Sequence, residues 1–194
     1  MRELSLHILD LLENAVEAGA SRIDLSIGED EQADRMVITI TDDGCGMEKE
    51  LIEKVLDPFY TTRKTRHVGL GLPLFLGAAR RCEGDLVVQS TPGKGTRVEA
   101  TFRHSHIDRA PLGDMPAALL AILLSERSID LNYCHRVGPR EFRFDSSEIR
   151  KELEGVPLNH PKVREWIFQL LKEGEAGLIR DGHELNKEGR QWHG

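Results

Sequence analysis

The chain has 194 residues, a net charge of -7, three cysteines and few aromatic residues, enough for one globular domain with a small appendage. No run of about 20 apolar residues occurs, and the opening MRELSLHILD interrupts its apolar stretch with Glu3 and Asp10, which speaks against a membrane span or a signal peptide and for a cytoplasmic protein. Cys45, Cys82 and Cys134 lack metal or disulfide spacing, and 13 basic against 18 acidic residues in positions 1–103 leave no electrostatic footprint for a nucleic acid.

The first stretch, LSLHILDLLENAVEAG, is expected to be a core helix over residues 4–19. At roughly 100° per residue, Leu4, Ile8, Leu11, Leu12 and Ala15 share one side, while Asp10, Asn14 and Glu17 form a polar seam suited to a metal ion. Gly19 supplies the left-handed stop. SRIDLSI alternates as a half-buried strand, the acid-rich GEDEQAD reads as a loop, and RMVITIT is the partner strand leading into the turn Asp42-Asp43-Gly44-Cys45-Gly46 before Met47. Next comes DPFYTTRKTRHVGLGLPLF, in which Arg63, Lys64 and Arg66 cluster before a Gly69-Leu70-Gly71-Leu72 loop and a helix over residues 72–82. Gly84 ends that helix, DLVVQST and TRVEATF form a hairpin around PGKG, and the whole predicts an α/β two-layer sandwich: a mixed sheet with helices on one face.

Taken in this order, an Asn-bearing amphipathic helix, a strand ending in Asp-x-Gly-x-Gly, DPFYTT and a Gly-Leu-Gly-Leu loop resemble the GHKL superfamily of gyrase-, heat-shock-chaperone-, histidine-kinase- and MutL-type ATP-binding domains over residues 1–103. The resemblance implies the Bergerat fold, ATP and Mg²⁺. It makes Asp42 the acceptor of the adenine amino proton, with Gly44 and Gly46 admitting the base, Met47 packing on its face and the Thr96 hydroxyl supporting the carboxylate. Asn14 becomes the magnesium ligand, and Asp10 stands where the gyrase and MutL branches carry the glutamate that activates water and histidine kinases usually an asparagine; one turn from Asn14, it would serve as general base or orient the metal's surroundings. Phe59 would anchor the nucleotide lid, and Thr62, Arg63 and Lys64, with Gly69, Leu70, Gly71 and Leu72, would hold the phosphates. Two departures stand out: His67 replaces a common glycine, and Pro73 follows the loop, where a first helical turn tolerates it.

The chain begins at the first binding helix, without the phosphoacceptor hairpin of histidine kinases, so the resemblance implies a kinase or ATPase acting with a partner protein in trans. The rival reading is a nucleotide-dependent regulatory subunit without turnover. Residues 104–180 are expected to form an extension: a loop, a helix capped by Asp114, a hairpin and two helices, offering a partner a docking face. Its histidines, at 104, 106, 135 and 160, show no metal spacing and are expected to be scattered, and residues 181–194 to be a disordered tail.

Overall fold

The computed structural model describes residues 3–57, 71–125 and 127–179. Among these residues, six helices and six strands follow in the order α1 (Leu4–Glu17), β1 (Arg22–Asp30), β2 (Arg35–Asp42), α2 (Lys49–Val55), α3 (Gly71–Arg81), β3 (Leu86–Thr91), β4 (Gly95–Arg103), α4 (Met115–Leu123), β5 (Asp130–Val137), β6 (Arg140–Asp145), α5 (Ser146–Glu152) and α6 (Pro161–Ile179). One sheet runs β3-β4-β2-β1-β5-β6. All neighbours are antiparallel except β1 and β5, so the sheet is mixed, as expected of an α/β sandwich.

Period-two alternation decides which side of the sheet is covered. Ile23, Leu25 and Ile27 of β1, Met36, Ile38 and Ile40 of β2, Val98, Ala100 and Phe102 of β4, and Leu131 and Tyr133 of β5 are buried together beneath α1, α3, α4 and α6. The opposite face carries Arg22, Asp24, Glu99, Arg136 and Arg143 and stays polar. The acid-rich loop is shorter than expected, because Gly28, Glu29 and Asp30 continue β1 in register with Val37, Met36 and Arg35. Helix α2, which has no buried residue, was not foreseen: seven residues give too short a window for a helical period to register.

α1 ends as its glycine requires. Gly19 adopts a positive φ of 81°, and the amides of Gly19 and Ala20 bond the carbonyls of Val16 and Ala15 at 3.1 and 3.0 Å. Its beginning is closed from far away in sequence. Glu3 makes no side-chain cap; instead the Leu4 and Ser5 amides donate to the carbonyls of Pro111 and Leu112 at 3.0 and 2.7 Å. Asp114 caps α4 through the Ala117 amide at 2.9 Å, as the sequence indicated.

His7 lies in the core, stacked on Phe75 of α3 at 5.3 Å between ring centres, and its Nδ1 is buried without a hydrogen-bond partner among the described residues. Burial, aided by the positive charge of Arg81, lowers its pKa to about 4. The folded state therefore resists a proton that the unfolded chain accepts below its ordinary value of 6.5, and stability is lost as pH falls through the window from 6.5 towards 4. A His7→Phe chain is expected to match the wild type in urea midpoint at pH 8 and to exceed it at pH 5; equal midpoints at pH 5 would refute this linkage.

The expectation of scattered histidines fails for His104 and His135, which meet on Glu29: His104 Nε2 lies 2.7 Å from Oε2 and His135 Nε2 3.1 Å from Oε1. No sequence spacing could show this, because β1, β5 and the segment after β4 come together only through sheet pairing. Among the described residues, no group of three or more His, Cys, Asp or Glu is placed to hold a metal ion.

Candidate functional site

At one end of the sheet, a cavity of about 350 Å³ opens between α1, the β2 turn, α2 and the start of α3. Leu11, Ala15, Ile40 and Val98 form its apolar floor, Met47, Leu51 and Val55 one wall, and Leu72 another. Asn14, Glu17, Asp42 and Thr96 supply the polar groups. An apolar slot with a few convergent polar groups is suited to a flat heteroaromatic ring with a polar substituent.

Asp42 ends β2 opposite Thr96 of β4 and Ile23 of β1. Its Oδ1 accepts the Gly44 amide at 2.8 Å. Burial raises the pKa of this carboxyl; hydrogen bonds from the Gly44 and Thr96 backbone amides oppose that rise, and the neighbouring Asp43 adds to it. Support from Thr96 thus runs through its backbone, not through the hydroxyl as expected: Thr96 Oγ1 lies 2.9 Å from Ser90 Oγ. Ser90, which the sequence reading missed, is the knot here. Its hydroxyl accepts the Met47 amide at 2.8 Å and donates to the Gly95 carbonyl at 3.0 Å, tying the β2 turn to the β3–β4 hairpin.

The same turn is fixed from two further sides. The Cys45 amide donates to Ala18 at the end of α1 at 2.9 Å, and Asp43 accepts the amides of Ser21 and Arg22 at 2.7 and 2.9 Å. Gly46 takes a φ of 66°, and a Cβ there would fall 2.0 Å from the Thr91 carbonyl oxygen. Asp43 had no sequence signal beyond the Asp-Asp pair, since its partners lie about twenty residues earlier.

Asn14 faces the same cavity from α1, and Gly71 comes against it from α3. A Cβ at Gly71 would lie 3.2 Å from Asp10 Cβ and 3.5 Å from Asn14 Nδ2, so the glycine lets the start of α3 approach the Asp10–Asn14 seam. Asn14, Asp42, Gly46, Met47, Leu72 and Thr96 therefore line one cavity, Gly44 is bonded to Asp42, and Gly71 lies close to Asp10 and Asn14. Phe59, Thr62, Arg63, Lys64, Gly69 and Leu70 lie outside the described residues.

Residues 2–106, more than half of the chain, match the family described as histidine kinase-, DNA gyrase B- and HSP90-like ATPase, and the chain belongs to it. This is an ATP-binding domain of histidine-kinase-like type. It is similar to the signal transduction histidine-protein kinase AtoS of Escherichia coli (strain K12), 40% identical over 96 residues, which cover 49% of this chain and 15% of AtoS. Sporulation kinase C of Bacillus subtilis (strain 168) is 32% identical over 94 residues, covering 48% of this chain and 22% of the kinase. Sensor protein kinase FleS of Pseudomonas aeruginosa is 36% identical over 105 residues, covering 54% and 25%. The chain thus spans a quarter or less of the length of these relatives. Among solved structures, the N-terminal domain of a DNA repair protein shares the fold with a TM-score of 0.52 at 15% identity, over 74% of this chain and 52% of that one.

Proposed function

We propose that this chain binds Mg-ATP in the α1–β2–α3 cavity and passes its terminal phosphoryl group to water or to a protein partner in trans. The observation that carries the reading is that the Asp42 carboxylate and the Asn14 amide, 28 residues apart in sequence, line a single cavity. A fixed carboxylate accepts a hydrogen bond from the exocyclic amine of adenine, which guanine does not offer at that position, so Asp42 selects ATP over GTP. Leu11, Ile40, Met47 and Val98 cover the faces of the base.

Magnesium prefers oxygen ligands and takes few from protein, the rest coming from phosphates and water. Asn14 fits this demand with one amide oxygen lining the cavity. When bound, the ion would neutralise phosphate charge. Asp10, one turn before Asn14 and close to Gly71, is the carboxylate we assign to accept a proton from an attacking water or hydroxyl. Thr62, Arg63, Lys64, Gly69 and Leu70 are the proposed phosphate ligands, Phe59 the lid anchor, and residues 104–180 the surface for the partner.

Phosphate release measured in Mg-ATP with the wild type and with Asp10→Ala tests the catalytic role. Release is expected in the wild type and to fall by about 10²–10⁴-fold in the variant, the usual contribution of a positioned general base. Bound ATP without release in either protein would favour the regulatory-subunit reading, and no ATP binding in magnesium would overturn the assignment.

A further inference from the structure

Away from the nucleotide cavity, at the other end of β1, the sheet and α6 are joined by charged side chains that no step above uses. The His135 ring is sandwiched between two carboxylates: Nδ1 lies 2.9 Å from Glu175 Oε2 on α6, and Nε2 lies 3.1 Å from Glu29 Oε1 on β1. All three are sequestered, with side-chain exposures of 5% for His135, 14% for Glu175 and 16% for Glu29. Tyr133 donates its hydroxyl to Glu175 at 2.8 Å, and His104 bonds the second Glu29 oxygen at 2.7 Å.

The hydrogen-bond inventory fixes the charge. An ionised carboxylate only accepts, whereas a neutral imidazole has one N–H donor and one bare nitrogen. Carboxylates on both ring nitrogens therefore demand an N–H at each, which is the imidazolium. Deprotonation at either nitrogen would set a lone pair against a buried carboxylate. Glu29 cannot yield, being held by β-pairing on both sides of β1 and by His104. Glu175 can, because it sits four residues before the end of α6.

We propose that the Glu29–His135–Glu175 bridge is a single-proton clasp that fastens the C-terminal half of α6 to the sheet and lets it lift when the ring loses that proton. In the β5–β6 register His135 faces Phe142, and the Phe142 ring occupies the space where a Cβ at Gly174 of α6 would fall, so closing α6 on β6 requires that glycine. Arg140, two residues along β6, has a buried Nη1 without a partner among the described residues, and the groups that act most on the His135 ring are Glu175 and Glu29.

Burial alone would lower the His135 pKa, but the hydrogen bonds and charges of Glu175 and Glu29 prevail and raise it to about 9. With the folded value above the ordinary 6.5, the clasp's contribution is complete below 6.5 and disappears as pH rises through about 9. Tyr133 does not titrate in that range, since burial and Glu175 push its phenol further up.

Amide exchange by mass spectrometry, corrected for the intrinsic rate at each pH, tests the clasp on the full chain. Protection of residues 170–178 is expected to fall at least about tenfold between pH 7 and pH 10 while β1 and β2 keep theirs. In Glu175→Gln the ring keeps one carboxylate, so the midpoint is expected to move down by about one pH unit or more. Nitrogen-15 spectra of the wild type should show both ring nitrogens of His135 protonated at pH 7. A neutral ring at pH 7, a midpoint unmoved by Glu175→Gln, constant protection of α6 up to pH 10, or simultaneous loss in α6 and the sheet would each overturn the proposal.

Discussion

Asp42→Asn is expected to weaken ATP binding by about ten- to a hundred-fold, the worth of a hydrogen bond to a charged acceptor, without lowering the melting temperature of the ligand-free protein. The two halves of this result come from the same carboxyl. In the folded chain its ionised form is disfavoured chiefly by burial, and Asp43 adds repulsion. An amide removes both penalties while its oxygen still accepts the Gly44 amide. Toward adenine, the amide offers a weaker acceptor and a competing donor. The raised pKa also means that ATP affinity should decline on acidification before an ordinary carboxylate would protonate, because the protonated acid loses acceptor strength. Calorimetric titration with ATP, paired with thermal unfolding, checks both. An unchanged affinity would remove Asp42 from base recognition, and a large fall in melting temperature would make its role structural.

Gly46→Ala should be the most damaging single methyl group in the site. A β-carbon would meet the Thr91 carbonyl oxygen at 2.0 Å and its carbon at 2.7 Å, both backbone atoms of the β3–β4 hairpin, and the residue would also have to hold a φ of 66°. Relief requires the turn and the hairpin to separate, which breaks the Met47–Ser90 bond and opens the wall beside Asp42. A loss of about 2–4 kcal/mol is expected from the combined clash and left-handed strain, seen as a drop of roughly 5–15 °C in melting temperature together with loss of ATP binding. A variant that melts within a degree of the wild type would show that the turn can reshape around the methyl.

Much of this was legible in the residues because it rests on local rules. The polar seam of α1, the Gly19 stop, the Asp114 cap and the alternation of the β2 strand each depend on neighbours within a few positions. The convergence of Asp42 with Asn14 was implied by the resemblance to the GHKL superfamily that the ordered motifs carry. What escaped the sequence depends on partners brought together by pairing. Ser90 is one serine among several until Met47, Gly95 and Thr96 are placed around it. His135 resembled an isolated histidine until β5 aligned it with Ile27, two residues before Glu29. Thr96 was correctly picked as a neighbour of Asp42, yet a hydroxyl can turn to several acceptors, and here it turns to Ser90.

The borrowed closure of α1 has a practical side. A fragment trimmed after residue 106, where the family match stops, would keep the described motifs of the cavity but lack the carbonyls of Pro111 and Leu112 that receive the Leu4 and Ser5 amides, and the β5 strand that lies along β1. Homology-guided trimming would thus fray the very helix that carries Asp10 and Asn14, and a weak nucleotide response from such a piece would report the cut rather than the protein.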